Sequence, residues 1–498
     1  MDDTSIREFA LKKCIKEYGS KQYKHFDRPL SKNKMYKELK KIRNPRNVPT
    51  YRHLPFITFN KTFRKYTKYD EGKMIPTEKR LTKKTRTISL ASHHDSLLLK
   101  YYSVMLSTYY EQSLNNQYSQ LKDSVIAYRS GKSNILGAKS VFDYIWKTEN
   151  CWIIKGDFKA FFDNLNHTLI FNSVKKLLNG SSNIDLDDDW YSVLKFITKY
   201  RTITQKQLKK NINSTDSSYV KNRRELSTLL KNKKLKLSSI NSKGIPQGTA
   251  LSAILANVYM LDFDNWVLNL LQGRGIYRRY SDDFVIILPN CSYEYARELT
   301  SRVITNSKNM LKLDIEPHKT KFLYFSKKDK AVYKKDLKTR QNLDYLGFEF
   351  NGQKVFLRSK SFYKFKFRGK HAMYILKRLI KESSLIKKYN NTNHIYYLEN
   401  FRNPYSKKLA KKRLANLIKQ KNNGINLQFR KRIAHLYLSS NIKHDTRTML
   451  GYACRAQDQL SAPISGISGL YEVVVEKQVR KQIFDFGLNF HEIREINH

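Results

Sequence analysis

The sequence predicts a mixed α/β fold, in which short apolar strands alternate with longer helices. The chain has 498 residues, of which 40% are hydrophobic, enough for a buried core and for more than one structural unit. Residues 152–154 form a short apolar run, and residues 278–288 contain two short apolar or aromatic segments, as strands do. Residues 95–114 and the stretch after Gly248 have the length and apolar spacing of helices.

Residues 1 to about 75 are predicted to form a basic, aromatic N-terminal extension. Their spacing is helix-like at first, and the prolines of residues 43–56 exclude one continuous helix. Residues 79–92 alternate in polarity and predict a hairpin, which residues 95–114 follow as a helix. The main folded region is therefore expected to begin near residue 76.

The next segment returns to strand and carries an acid at its end. Residues 151–158 contain a buried apolar run and place Asp157 near the carboxyl end of the strand. Residues 167–178 then have helical periodicity, which ends at Gly180.

A second pair of strands carries two adjacent acids. Residues 278–288 contain two apolar or aromatic segments that meet near Asp282 and Asp283, which predicts a hairpin with carboxylates at its tip. Residues 244–271 predict a turn and a long helix, one side of which has small residues that permit close approach by a backbone or a ligand. Residues 343–350 alternate as a strand again.

The charge balance indicates a polyanionic partner. Lys and Arg total 95 against 43 acids, a formal net charge of +52, and nucleic acid is the leading candidate. The alternatives are a solubility effect or an acidic membrane, but no apolar run approaches the roughly 18 residues of a membrane span. The N-terminus lacks the apolar core of a secretion signal. We therefore expect a cytoplasmic protein that does not bind membranes, with its four cysteines reduced.

Two segments concentrate the positive charge. Residues 201–243, within a predicted insertion at about 180–243, contain twelve Lys or Arg and two acids. They are either a solvated loop or a surface that lies along phosphates. Residues 361–432 contain twenty Lys or Arg and two Glu, which with interleaved aromatic rings suit a nucleic-acid track; the alternative is that the rings are core. Those rings are Phe362, Tyr363, Phe365, Phe367 and Tyr374.

Three carboxylates form the candidate catalytic site. Asp157 lies 125 residues before Asp282, so the sequence does not show that they meet, but both stand at strand ends, and side-by-side strands could bring them together with Asp283. Converging carboxylates raise one another's pKa unless cations bind, and their oxygens suit Mg²⁺, with Mn²⁺ as a substitute. Two such ions about 3.5–4 Å apart can activate a hydroxyl and stabilise the leaving pyrophosphate in phosphoryl transfer.

Five motifs follow one another along the chain. They are "DFKAFFDNLNH" at 157–167, "GIPQGTALSAILAN" at 244–257, "YSDDF" at 280–284, then "LDIEPHKTKFLYF" and "YLGFEF". In this ordered set the chain resembles the reverse transcriptases, over about residues 76–350. The resemblance implies a right-hand polymerase, with fingers and an antiparallel palm sheet in that region. It also implies a helical thumb and C-terminal extension in residues 351–498.

The resemblance implies roles at the metal site. Asp157, Asp282 and Asp283 would ligate the metal ions, with Asp283 the most peripheral acid. The main-chain carbonyl of Phe158 would be a further ligand. Asp163, one turn beyond the strand end, would organise the helix start instead.

It also implies residues that act on the nucleotide. Phe162 falls where an aromatic ring lies under the sugar and would clash with a 2′-hydroxyl, which predicts deoxynucleotides; alternatively, Phe161 or Phe162 is core. Gln247 would contact the incoming nucleotide. Lys319 stands where a lysine protonates the departing pyrophosphate, with Lys321 close enough to compete.

Two arginines resemble the finger cations that hold the triphosphate. Arg86 and Arg129 occupy these positions, where guanidinium geometry permits bidentate phosphate contacts. Lys84 and Lys132 are the alternatives.

The motif set is most similar to the bacterial unknown-group and abortive-infection reverse transcriptases. That similarity implies RNA-directed addition of deoxynucleotides to a 3′-hydroxyl or other priming hydroxyl, with a dedicated non-coding RNA, in antiphage defence and often as a homo-oligomer. Ala253 departs from the proline found in many retroelement enzymes. The alternatives are a retron- or intron-derived enzyme and a template-independent or protein-primed DNA polymerase. A last alternative, an inert RNA-binding scaffold, predicts lost acids, whereas this chain retains them.

Overall fold

The computed structural model describes residues 1–19, 21, 23–66, 69–70, 73–74, 76–79, 81–213, 216–316, 320–391, 433, 436–437 and 448–460. The chain divides into two compact units. The first comprises Met1–Ser133 and Cys151–Phe322, and the second comprises Asn134–Asn150 and Leu323–His498. The division at residues 75 and 350 into extension, fingers with palm, and thumb stays a prediction.

The described helices and strands alternate along the chain. The helices are α1 (Asp3–Lys16), α2 (Lys32–Arg43), α3 (His93–Asn115), α4 (Asn134–Lys147), α5 (Phe161–Asn164), α6 (His167–Asn179), α7 (Asp188–Thr198), α8 (Gln205–Asn211), α9 (Arg223–Lys231), α10 (Ala250–Leu271), α11 (Tyr293–Leu311), α12 (Ser359–Asn391) and α13 (Met449–Leu460). The strands are β1 (Phe56–Tyr66), β2 (Tyr69–Asp70), β3 (Lys73–Met74), β4 (Leu81–Leu90), β5 (Asn150–Asp157), β6 (Thr202–Thr204), β7 (Ile276–Tyr280), β8 (Asp283–Pro289), β9 (Lys321–Ser326), β10 (Ala331–Lys334), β11 (Leu343–Tyr345), β12 (Phe348–Phe350) and β13 (Val355–Leu357).

The N-terminal helices are part of the first unit. Helices α1 and α2 both pack against α3. Arg7 of α1 is buried and pairs with the fully buried Asp189, at 2.9 Å from Nη2 to Oδ2. The main-chain carbonyl of Arg7 accepts a hydrogen bond from the Tyr101 hydroxyl. Helices α1 and α2 are therefore held by the same core as α3.

The hairpin expected within residues 79–92 is wrong. Residues 81–90 form the single strand β4, whose antiparallel partner is β1, with Ile57 opposite Leu90 and Tyr66 opposite Leu81. Strand β6 pairs in parallel with the first residues of β1. The alternating polarity of β4 is typical of a strand, but its partner lies in the N-terminal segment.

Three antiparallel strands confirm the predicted palm sheet. Strand β8 lies between β5 and β7, with Ile153 opposite Ile287 across one pair and Tyr277 opposite Ile286 across the other. These side chains are buried, which is why the strands read as continuous apolar runs. Helix α10 is the long helix predicted after the turn at residue 244. It packs against α3, α6 and α11 in the same unit.

The insertion between α7 and the turn at residue 244 is folded. Strand β6 and helices α8 and α9 surround apolar side chains that are buried together with Phe26, Leu54 and Ile57. The buried members from the insertion are Ile203, Leu208, Tyr219, Val220, Leu226 and Leu235. Of the two interpretations of this basic segment, a solvated loop is therefore wrong.

The second unit combines short strands with helices. The single strand expected at residues 343–350 is two strands, β11 and β12, because Leu346 and Gly347 form a turn with φ values of 46° and 96°. Phe350 stacks on Phe142 of α4, and Asn134 donates a hydrogen bond of 2.8 Å to the Tyr452 hydroxyl of α13. The predicted helical pattern after residue 351 is present in α12 and α13. None of the helices that the structure describes is long and apolar enough to cross a membrane.

Candidate active site

The strand register brings the candidate acids together. Asp157 at the end of β5 lies opposite Asp283 at the start of β8. The main-chain N–H of Phe158 donates a hydrogen bond of 3.1 Å to the carbonyl of Asp282. Acids that are 125 residues apart in sequence therefore meet at the tip of the β7–β8 hairpin.

The three acids repel one another, which suits a cation. Burial raises the pKa of Asp282, and the negative charges of Asp157 and Asp283 raise that pKa further. A hydrogen bond between the Asp157 and Asp282 side chains has the same effect on this pKa. Hard oxygen donors of this kind fit Mg²⁺ or Mn²⁺. Within the described part of the chain, however, no group of three or more His, Cys, Asp and Glu side chains is arranged as a ready metal site.

The turn that carries the acids has an unusual backbone. Ser281 is buried and has a φ of 60°, in the left-handed region that non-glycine residues seldom occupy. Tyr128 has a φ of 62°, and its hydroxyl lies 3.0 Å from the Ser281 hydroxyl. Such conformations persist where surrounding contacts over-determine them.

A fully buried ion pair supplies those contacts. Arg279 lies two residues before Ser281, and its Nε and Nη2 bind the carboxylate of Asp264 on α10 at 2.8 and 2.7 Å. Both side chains have zero solvent exposure. Arg279 Nη1 donates to the Ser281 carbonyl at 3.0 Å and to Asn257 Oδ1 at 3.3 Å. The guanidinium thus joins the turn to α10.

The same pair is anchored on two further sides. The Tyr277 hydroxyl donates a hydrogen bond of 2.7 Å to Asp264. The main chain of Arg279 accepts from Ile126 N–H at 2.9 Å and donates to the Ser124 carbonyl at 2.7 Å. Although burial alone would lower the pKa of Arg279, the charge of Asp264 raises it above its ordinary value. Arg279 therefore stays charged and fixed.

Sequence reasoning missed this arginine, although a signal was present. Strand β7 alternates in burial, with Tyr277 and Arg279 inside and Arg278 partly exposed. Residues two apart on a strand share one face, so an arginine two residues after a buried tyrosine is predicted to be buried. A buried cation requires a buried acid as its partner. Asp264, a buried residue of α10, is that acid.

The glycine turn before α10 packs onto the end of the first motif. Gly244 has a φ of 77°, and a Cβ there would lie 2.5 Å from the carbonyl oxygen of Asp163. Ile245 N–H donates to the Phe162 carbonyl at 2.9 Å. Gln247 Nε2 donates to Asp163 Oδ1 at 3.2 Å, so the structure brings Gln247, Phe162 and Asp163 together.

The two phenylalanines differ in exposure. Phe161 is buried, at 3% exposure, and belongs to the core beside Phe158. Phe162 is only partly buried and keeps a surface beside the glycine turn. The core alternative therefore applies to Phe161, and Phe162 remains available as the predicted sugar contact.

The predicted cations have different surroundings. Arg86 is exposed on β4, with its guanidinium 5.8 Å from the centre of the Phe63 ring. The Arg129 side chain is 6% exposed and donates two hydrogen bonds, of 2.8 and 2.9 Å, to the carboxylate of Glu111. It also donates to the carbonyls of Lys122 and Val125. For Arg129 the geometry therefore favours a structural role, and its triphosphate contact stays a prediction.

The predicted lysines that the structure describes differ in exposure and in partners. Lys319 lies outside the described residues, and its competitor Lys321 is exposed at the start of β9. Lys84 is exposed on β4, and Lys132 pairs with Asp123 at 2.9 Å.

Carboxylates that meet at a hairpin tip in an antiparallel sheet are the arrangement expected in the palm of a nucleotidyl-transferring polymerase. The sequence matches the reverse transcriptase (RNA-dependent DNA polymerase) family over residues 75–350, more than half of the chain. The chain therefore belongs to the reverse transcriptase family. No curated protein sequence matches it.

Among solved structures, the chain is similar to fungal telomerases. Apo telomerase from Candida tropicalis, truncated from its C-terminal domain, is 12% identical over 56% of this chain and 53% of its own, with a TM-score of 0.37. Telomerase from Candida albicans with the TWJ fragment of telomeric RNA is 12% identical over 90% and 66%, with a TM-score of 0.36. The chain thus spans between half and two thirds of the length of these telomerases.

The buried pair predicts separable effects on stability and turnover. We expect Arg279→Gln or Asp264→Asn alone to lower the free energy of unfolding by about 3–5 kcal/mol, because each leaves a buried charge unpaired. The double variant, which is neutral at both positions, should recover most of that stability. Its kcat for nucleotide addition should still fall about ten- to hundredfold, with little change in the KM for dNTP, because the turn is no longer fixed.

The measurements are thermal unfolding and steady-state primer extension. The matched control is Lys175→Gln with Asp185→Asn, which removes a pair with an exposed acid at 2.7 Å and should change neither quantity. Wild-type kcat in a fully stable double variant would show that Arg279 serves folding alone.

Proposed function

We propose that the chain is an RNA-directed DNA polymerase that uses Asp157, Asp282 and Asp283 to hold two Mg²⁺ ions. The observation that carries the proposal is the convergence of these acids through the β5–β8 register. The Phe158 carbonyl would complete the donor set. When bound, the ions supply charge neutralisation and activation of the priming hydroxyl. The positive charge of the chain suits its polyanionic template, product and dNTPs.

The protein side chains would orient the nucleotide. Gln247, held by Asp163, would contact the incoming base pair, and the partly buried Phe162 would lie under the sugar and exclude a 2′-hydroxyl. Arg86, exposed on β4, would bind the triphosphate. Lys319 would protonate the pyrophosphate.

Helix α12 would bind template and product as the first element of the thumb. Its buried side carries Phe365, which packs against Tyr437. The rings of Tyr363, Phe367 and Tyr374 are 67%, 73% and 62% exposed. These three rings follow at spacings of four and seven residues, which places them on one face of the helix. Exposed rings among cations suit stacked bases and phosphates.

The acids predict a sharp loss of synthesis. We expect Asp157→Asn or Asp282→Asn to lower dNTP incorporation at least about hundredfold, because metal charge supplies several kcal/mol of transition-state stabilisation. Chelation should abolish incorporation, and Mg²⁺ or Mn²⁺ should restore it. The measurement is labelled-dNTP incorporation on an RNA template with a DNA primer.

The control is Asp185→Asn, since this carboxylate is 95% exposed and pairs only with Lys175 among the described residues. It should incorporate dNTP at the wild-type rate. Undiminished incorporation by the Asp157→Asn and Asp282→Asn variants would contradict the proposal.

We also propose that this synthesis takes place in the cytoplasm and serves antiphage defence. The support is the similarity of the motif set to defence-associated bacterial enzymes, which also favours a dedicated non-coding RNA and a homo-oligomer. Cells that carry the wild-type locus should yield fewer plaques than cells with Asp282→Asn, because defence would require synthesis. Equal plaque numbers across a broad phage panel would contradict the defence role.

A further inference from the structure

The described part of residues 201–243, here called the basic module, is held together by hydrogen bonds between its two ends. Ser238 N–H donates to the Thr202 carbonyl at 2.9 Å, which joins the end of the module to its first strand. Lys236 N–H donates to Gln207 Oε1 at 2.9 Å, and Asn211 donates to the Lys234 carbonyl at 2.6 Å. Together with the apolar cluster beneath α8 and α9, these bonds hold the module's surface in one arrangement.

All twelve cations of the basic module are exposed. They are Arg201, Lys206, Lys209, Lys210, Lys221, Arg223, Arg224, Lys231, Lys233, Lys234, Lys236 and Lys243. No ion pair joins any of them to an acid among the residues that the structure describes; Arg201 and Arg223 donate to main-chain carbonyls. Elsewhere in this unit, Lys100 pairs with Glu17 at 2.9 Å and Lys176 with Asp262 at 2.7 Å. The module therefore concentrates positive charge that no acid of the described residues neutralises through an ion pair.

The helices of the module present these cations on their outer faces. On α8, Lys206, Lys209 and Lys210 are exposed and Leu208 is fully buried. On α9, Arg224 and Lys231 lie seven residues apart on the face opposite the buried Leu226. Residues three, four and seven apart share one helix face, so each helix carries a row of charge.

The composition of the module distinguishes between nucleic-acid partners. Proteins that bind single strands stack bases on exposed aromatic rings. The module has one aromatic residue, Tyr219, and its ring is buried at 8% exposure with Lys24 Nζ 5.1 Å from its centre. Cations without rings suit phosphates whose bases are already paired.

From these observations we propose that the basic module is a docking site for the sugar–phosphate backbone of a folded RNA stem. The choice of RNA over DNA depends on the proposed RNA-directed activity. Asn241 at the end of the module donates hydrogen bonds to the carbonyls of Thr198 and Gly244, at 3.2 and 2.9 Å. A stem on the module is thereby held on the same unit as the glycine turn of the active site.

The test measures binding of the full chain to a hairpin RNA with a stem of about 16 base pairs. The comparison ligands are the DNA hairpin of the same sequence and single-stranded oligouridine. Two triple variants remove charge from the module. The first combines Lys206→Gln, Lys209→Gln and Lys210→Gln. The second combines Arg224→Gln, Lys231→Gln and Lys234→Gln. The control triple, Lys32→Gln, Lys34→Gln with Lys37→Gln, removes equally exposed cations from α2.

Each module triple should weaken stem binding about tenfold or more and reduce the slope of log affinity against log salt by about two to three. The control triple should do neither, and thermal unfolding should confirm that all variants are folded. Equal losses in module and control variants, or tighter binding of oligouridine, would overturn the proposal. Equal binding of the DNA hairpin, weakened by the same variants, would overturn the RNA assignment. Absence of dNTP incorporation by the wild type would instead count against the proposed polymerase activity.

Discussion

The antiparallel register between β5 and β8 is the constraint on which the active site depends. A shift of one residue would move Asp157 away from Asp283 and reverse the face that each side chain occupies. Gly156 fixes this register because a Cβ there would lie 2.2 Å from Cζ of Phe284, its direct partner. Phe284 is itself buried, at 2% exposure. The absence of a side chain at residue 156 thus permits the close pairing that places the acids.

Both acids and cations lie near this register, and the two kinds of charge are handled differently. Burial, together with the charges of Asp157 and Asp283, raises the pKa of Asp282, whereas Arg279 on the neighbouring strand and Asp264 neutralise each other. The buried pair holds the turn without adding net charge near Asp157, Asp282 and Asp283. The exposed cations of the basic module and α12 lie on the surface, where they can meet phosphates at little desolvation cost. This separation explains how a chain of net charge +52 keeps three carboxylates together at the β5–β8 register.

The sequence was most informative where a pattern repeated over many residues. Strand β5, the hairpin and helices α3, α6 and α10 followed from periodicity. The sequence also placed the acids at strand ends, but only the register of β5 and β8 shows that they meet. The partner of β4 could not be predicted, because the pairing of β1 with β4 is a tertiary choice that local polarity does not encode. The partners of Arg129 were hidden for the same reason, since Glu111 lies on a different element. Burial of Arg279 was encoded in strand alternation, but the identity of its acid required the fold.

The most direct test of the central claim is to locate the cation. When Fe²⁺ replaces Mg²⁺ in the presence of ascorbate and peroxide, hydroxyl radicals cut the backbone close to the bound metal. The convergence of acids predicts cuts near residues 157–158 and 282–283, suppressed by excess Mg²⁺ and lost when Asp157 and Asp282 are both changed to Asn. Cuts confined to other segments, or unchanged cutting in that double variant, would contradict a metal site at the hairpin.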